Sequence, residues 1–230
     1  MHRYFRCRAC MPSLHAVRDL RGLTKALLIL LSLDAAVSIV AAASSLMQAQ
    51  LMGLGYLTQA QAEANDLREG LIALVWLVTF LATVVAFCRW IFVANKNVRA
   101  LGARGLRASP GWAVGSFFVP IASLWIPFQA MKELWLASYQ PADWRGGTTA
   151  GLVRAWWAAW LVNWVLANVS QHWMDAADHP AAMASASYFQ AFVKLFEVLL
   201  CLAAGLVVSR ITAAQVASAD ALRASEEAGG

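Results

Sequence analysis

The chain has 230 residues, of which 60% are hydrophobic and 13% charged, with a formal net charge of +5. Its mean hydropathy is +0.58, and its apolar content exceeds the roughly 45–50% of soluble domains, so an ordinary water-soluble fold is excluded. The basic residues stand in short clusters beside apolar runs, a placement that reads as membrane topology and excludes a broad nucleic-acid face.

The first 22 residues form a basic arm carrying Arg3, Arg6, Arg8, Arg18 and Arg21, expected to lie in the cytoplasm. Within it, Cys7 and Cys10 make one Cys-x-x-Cys, flanked by His2 and His15. These four side chains are of the kinds that can close a tetrahedral zinc site, but a second Cys-x-x-Cys, which would make the signal strong, is missing, so the arm is read as exposed and reduced. Its thiols stand near a membrane, where acylation occurs. Residues 23–47 then form a run of Ala, Leu, Ile and Val long enough to cross a bilayer with some tilt. A secretory signal cleaved near Ala43 is the other reading of this start; the run is longer than a signal core, which favours a retained anchor. Residues 53–70, with Glu63, Asp66, Arg68 and Glu69, read as a polar loop with some helix.

Residues 71–94 are a second span, followed at once by Lys96, Arg99, Arg104 and Arg107. Residues 111–126 are apolar but span only about 24 Å as a helix, and Pro120 interrupts them. A bilayer core needs about 30 Å. Residues 127–139 carry an amphipathic helical pattern in which Gln129, Lys132 and Glu133 lie away from the apolar side, as in a helix at the membrane interface. A turn-rich connector leads to a third span at 152–169, then a fourth at 188–208, and a polar, alanine-rich tail at 211–230 continues the helix and frays. Cys88 and Cys201 fall inside apolar runs and read as small packing residues.

Placement of Lys and Arg decides how 111–126 meets the membrane. With four crossings, the arm, the Lys96–Arg107 cluster, the Lys132–Arg154 stretch and the tail are cytoplasmic. The outer loops are then 53–70, whose only Lys or Arg is Arg68, and 171–187, which has neither. A fifth crossing would export Lys132, Arg145 and Arg154. Residues 111–126 are therefore expected to form a re-entrant hairpin that enters and leaves on the cytoplasmic side, packed where neighbours satisfy its backbone.

From Trp90 to Ser138 the chain carries a distinctive order of residues: Asn97 and Arg99 just after a span, Leu101-Gly102, then Pro110-Gly111-Trp112-Ala113-Val114-Gly115 and Phe118-x-Pro120. Trp125, Pro127 and a helix with Gln129, Ala130, Met131, Glu133 and Trp135 follow. This block resembles the bacterial membrane proteins grouped as domain-of-unknown-function family 4328. The resemblance implies a multi-span membrane protein and brings no known activity. Ile126 stands where the pattern leads us to expect a basic residue, which weighs against a headgroup role at that position.

Each candidate site has a structural reading beside its functional one. Gly111, Gly115, Pro120 and Pro127 shape a loop of the kind that lines transport sites, or else a wedge fixing the bundle with Trp112 and Trp125 as interface anchors. Asp34 and Arg89 lie within spans and are placed to meet in the inner leaflet; Lys194 and Glu197, three apart, share a helix face. These four charges suit an ion relay or structural pairing. His172, Asp175 and His179, with Asp178 beside them, fall on one side if their segment is helical, and imidazole with carboxylate suits zinc. Two histidines in a solvated loop carry little further signal, and no metal or cofactor is expected. Trp156, Trp160 and Trp164 recur every four residues as a packing stripe.

No nucleotide-binding, nucleophile-elbow or zinc-protease motif is present. The expectation is an all-α, polytopic inner-membrane protein that is not an enzyme. It acts as a scaffold or interaction protein on membrane lipid, anionic lipid included, with a protein partner or a second copy. A small oligomeric channel or transporter is the alternative.

Overall fold

The computed structural model describes residues 16–148 and 150–229. Among them every regular element is helical: α1 (Arg21–Gly53), α2 (Gln59–Ala100), α3 (Pro110–Gly115), α4 (Ile126–Tyr139), α5 (Gly151–Asp175) and α6 (Pro180–Gly229), with short 3-10 turns between. The arm cysteines Cys7 and Cys10 lie outside the described residues. Among the described residues, α1, α2 and α6 are the three helices long and apolar enough to cross a membrane. Helix α5 covers the expected span 152–169 over 25 residues. It is not one of the three, because Trp156, Trp157, Trp160 and Trp164 together with Asn163 and Asn168 dilute its apolarity.

Local chemistry sets the helix ends. Thr58 and Gln61 form a reciprocal capping box at the start of α2: the Gln61 amide donates to Thr58 Oγ1 at 3.3 Å, and the Thr58 amide donates to Gln61 Oε1 at 3.0 Å. This start at Gln59 replaces most of the loop expected at 53–70 with helix. The other end of α2 closes as a Schellman motif, with the Ala103 amide on Val98 O at 2.9 Å and the Gly102 amide on Arg99 O at 3.1 Å. Gly102 has φ +103, which explains the Leu101-Gly102 of the sequence block. Gly102→Ala is expected to cost about 1–2 kcal/mol, read as a lower melting temperature in detergent. Pro180 opens α6, and that helix runs 50 residues through the fourth span and the tail without a break.

The described residues form two compact units. Among the described residues, one draws on 16–26, 86–154 and 206–229, the other on Leu27–Val85 and Ala155–Gly205. The first unit has a core of Trp90, Ile91, Val98, Met131, Leu134, Val208 and Ile211. Polar groups pin it. Trp90 Nε1 donates to Thr24 Oγ1 at 3.1 Å and to Thr212 Oγ1 at 3.2 Å, while Gln215 Nε2 reaches Ala94 O and Ser138 Oγ, both at 3.1 Å.

The second unit consists of segments of α1, α2, α5 and α6. Antiparallel α1 and α6 are joined by Ser38 Oγ to Glu197 Oε2 at 3.1 Å and Ser45 Oγ to Gln190 Oε1 at 3.4 Å. They approach so closely that a Cβ on Gly205 would meet Leu28 Cδ2 at 3.3 Å. Apolar side chains also face outward: Leu71, Leu74, Val78, Leu81 and Val85 of α2 are exposed, as are Leu195, Leu199 and Leu202 of α6. Only 6% of the apolar window of α2 is buried. Water would penalise so large an apolar face, whereas hydrocarbon suits it.

Candidate functional site

The expected hairpin is built from short pieces. Ser109 caps α3 by accepting the Trp112 amide at 3.1 Å, with Pro110 at the first turn. A 3-10 turn follows at Ser116–Phe118 and another at Ala122–Leu124. Pro120 sits between them, where its fixed φ suits a turn and its missing N–H forbids a continuous helix. Ser123 holds the bend, its amide on Val119 O and its hydroxyl on Pro120 O, each at 2.8 Å. Helix α3 packs against α4, so the segment doubles back. Ala113 and Ser116 are buried at its base, while Trp112, Phe118, Val119, Ile121, Leu124 and Trp125 are exposed. A Cβ on Gly111 would meet nothing within 4 Å, and one on Gly115 would meet only the Trp112 ring at 3.7 Å, so close packing requires neither glycine.

The neighbouring block residues brace this hairpin. Asn97 is buried and grips the backbone of Arg18 twice: Nδ2 donates to Arg18 O at 2.8 Å, and Oδ1 accepts the Arg18 amide at 2.9 Å. Arg99 Nη2 donates to Ala108 O at 2.7 Å, fixing the loop before Ser109. Helix α4 forms at the expected place, with Pro127 buried in its first turn, Gln129 exposed and the Trp135 ring tilted against that of Tyr139, their centres 5.2 Å apart. One of the three residues expected on its polar side departs from that pattern, while Gln129 is exposed and Lys132 half-buried. Glu133 is buried with Ala130, Leu134 and Ala137; its carboxylate accepts the Arg107 amide at 2.9 Å and faces Arg107 Nε at 3.6 Å. Those partners make burial of the charge tolerable.

In the second unit the intramembrane charges gather differently from expectation. Lys194 Nζ lies 3.2 Å from both oxygens of Glu197 and 4.6 Å from the centre of the Trp76 ring. Asp34 is buried, and its Oδ1 has no hydrogen-bond partner among the described residues. Arg89 belongs to the other unit, and its side chain is exposed, because the helical period that buries Trp90 turns position 89 outward.

Residues 55–213 match the family described as Domain of unknown function (DUF4328). The chain belongs to that family. The matched segment runs from just before α2 into α6 and contains the whole hairpin, the Asn97 and Arg99 braces, Lys194 and Glu197; Asp34 precedes it. No curated protein and no solved structure matches the chain.

In this DUF4328 chain the remaining candidates are dispersed. Helix α5 ends at Asp175 and α6 begins at Pro180, so His179 leaves the helical face that His172 and Asp175 would share. Asp175 Oδ1 instead accepts Gln171 Nε2 at 2.8 Å, and His179 Nδ1 pairs with Asp178 at 2.7 Å. That bond holds the Asp178 carboxyl below its ordinary range. Among the described residues no three His, Cys, Asp or Glu side chains converge as metal ligands. The tryptophan stripe is also rearranged: Trp157 stacks on Trp160 at 4.7 Å, whereas Trp164 is exposed. Sequence reading missed the Trp90–Thr24–Thr212 and Gln215–Ser138 contacts. Their only signal is polar side chains spaced along otherwise apolar helix faces.

Proposed function

We propose that this is a noncatalytic scaffold or interaction protein of the bacterial inner membrane, with four spans, both termini cytoplasmic and a re-entrant hairpin as its working element. The observation that carries this reading is the apolar tip: Phe118 is 64% exposed, Ile121 71% and Trp125 51%. A solvated turn made of such residues is costly, while hydrocarbon or a protein groove accepts them. Basic residues support the orientation. Lys96, Arg104 and Arg107 precede the hairpin, and a headgroup layer rich in anionic lipid attracts such a cluster.

The immersion is tested with Ile121→Cys carrying an environment-sensitive fluorophore, in protein reconstituted into phospholipid vesicles. Blue-shifted emission, quenched by nitroxides on the acyl chains, is expected. Emission like that of the free dye in water contradicts the reading. A scaffold is also expected to leave vesicles no more permeable to protons, sodium or potassium than protein-free controls. Flux that Asp34→Asn abolishes would establish the second reading, a small channel or transporter, which the unpartnered buried Asp34 oxygen favours.

A further inference from the structure

A cavity of about 240 Å³ in the first unit carries an inference that goes beyond the interaction role and does not depend on the hairpin. It is lined by residues 17–21 on the approach to α1, by Asn97 near the end of α2, and by Gln215, Val216, Ala219, Asp220 and Arg223 of α6. The α6 positions are i, i+1, i+4, i+5 and i+8, one face of the helix. Hydrogen bonds hold this lining in place. Asn97 bonds both backbone groups of Arg18, and Gln215 Nε2 reaches Ala94 O and Ser138 Oγ.

Three of the lining residues are arginines and two are aspartates. Arginine stays charged at any physiological pH, so positive charge is in excess whatever the state of the carboxyl groups. The carboxyl groups are also engaged: Asp19 Oδ1 accepts the Arg21 amide at 2.9 Å, and Asp220 pairs with Arg223 at 2.7 Å. Arg18 and Arg21 are bonded through their backbones, and among the described residues neither guanidinium has a partner. The Arg223 pair is exposed, and such pairs hold weakly, so Arg223 is free to turn to a better acceptor.

Gln215, 2% exposed, adds the opposite need. Ala94 O can only accept, and Ser138 Oγ gives its own proton to Leu134 O at 2.6 Å, so the amide cannot be reversed. Its Oε1 is therefore an acceptor, buried and without a donor among the described residues. Depth narrows the choice of anion. Arg21 stands two residues before the apolar run 23–47, Asn97 three after 71–94, and Gln215 seven after 188–208, the last about 10 Å of helix. The headgroup layer extends about 5–7 Å beyond each side of the hydrocarbon, and phosphate is the anion concentrated there.

We propose that this cavity binds a phosphate ester bearing a hydroxyl group, with Arg18 and Arg21 on the phosphate and the hydroxyl serving Gln215. Guanidinium forks match phosphate oxygens in geometry as well as charge. A lipid headgroup and a free ester share this chemistry.

The test uses the full chain in neutral detergent. Glycerol 3-phosphate is titrated by calorimetry as the free ester, and native mass spectrometry of protein from micelles doped equally with phosphatidylglycerol and phosphatidylcholine reads the lipid. Preferential retention of phosphatidylglycerol indicates a headgroup, and calorimetric binding of glycerol 3-phosphate a free ester. Arg18→Gln with Arg21→Gln is expected to weaken whichever binds about ten-fold or more. Both side chains are exposed, and Asn97 holds the Arg18 backbone, so this variant keeps the fold. Lys25→Gln with Lys96→Gln removes as much charge from the same end of the bundle, at exposed residues that do not line the cavity; it is expected to keep the affinity within about two-fold. The proposal is overturned if neither phosphatidylglycerol nor glycerol 3-phosphate binds, if the arginine variant binds as the wild type does, or if the lysine variant loses as much as the arginine variant.

Discussion

Trp90→Ala is expected to destabilise the unit containing the hairpin by about 3–5 kcal/mol, the cost of emptying a large buried aromatic site. Trp90 is fully buried, packs on Phe87 with ring centres 6.1 Å apart, and shares its indole N–H between Thr24 and Thr212. Trp90→Phe separates the two contributions. It keeps much of the volume, and Thr24 and Thr212 remain bonded to each other at 2.8 Å, so about 1–2 kcal/mol is expected from the lost bond and the smaller ring. Unfolding in mixed detergent micelles measures both. Equal losses for Ala and Phe would mean that packing of the ring matters little and the N–H dominates.

Asn97→Ala is the second large effect. The side chain satisfies both backbone groups of Arg18, and alanine leaves an amide and a carbonyl partly buried without partners, at about 2–4 kcal/mol together. Hydrogen exchange reads this locally: the Arg18 amide is expected to lose most of its protection, while amides in the middle of α5 keep theirs. Unchanged protection at Arg18 would contradict the role assigned to Asn97. The contact spans 79 positions in the chain, which is why an Asn just beyond a span carries structural weight.

Much of the architecture is legible from periodicity and punctuation. The apolar runs at 23–47, 71–94 and 188–208 lie within α1, α2 and α6, and Ser109-Pro110, Pro120 and Pro127 mark where α3 starts, where the chain bends and where α4 starts. What escapes is anything set by pairing between distant helices. Glu133 looks like a surface residue because its partner, the Arg107 amide, is a backbone group with no residue-type signature. Asp34 looks like a partner for Arg89 because sequence gives depth along a helix but not rotation about it. His179 looks like a neighbour of His172 only if the helix continues, and the break before Pro180 separates them. The capping box at Thr58 was legible in principle, since Thr and Gln stand three apart, yet the charges that follow drew the segment toward a loop reading.

The side of the membrane on which residue 142 lies decides whether the proline-broken segment turns back or crosses. Ala142 is exposed in the connector after α4. Ala142→Cys, in a background with the four native cysteines replaced, is treated with a membrane-impermeant maleimide in intact spheroplasts. It is expected to stay unlabelled until the membrane is permeabilised, whereas Ala177→Cys is labelled at once. Labelling of residue 142 in intact spheroplasts would make the segment a crossing and contradict the re-entrant hairpin.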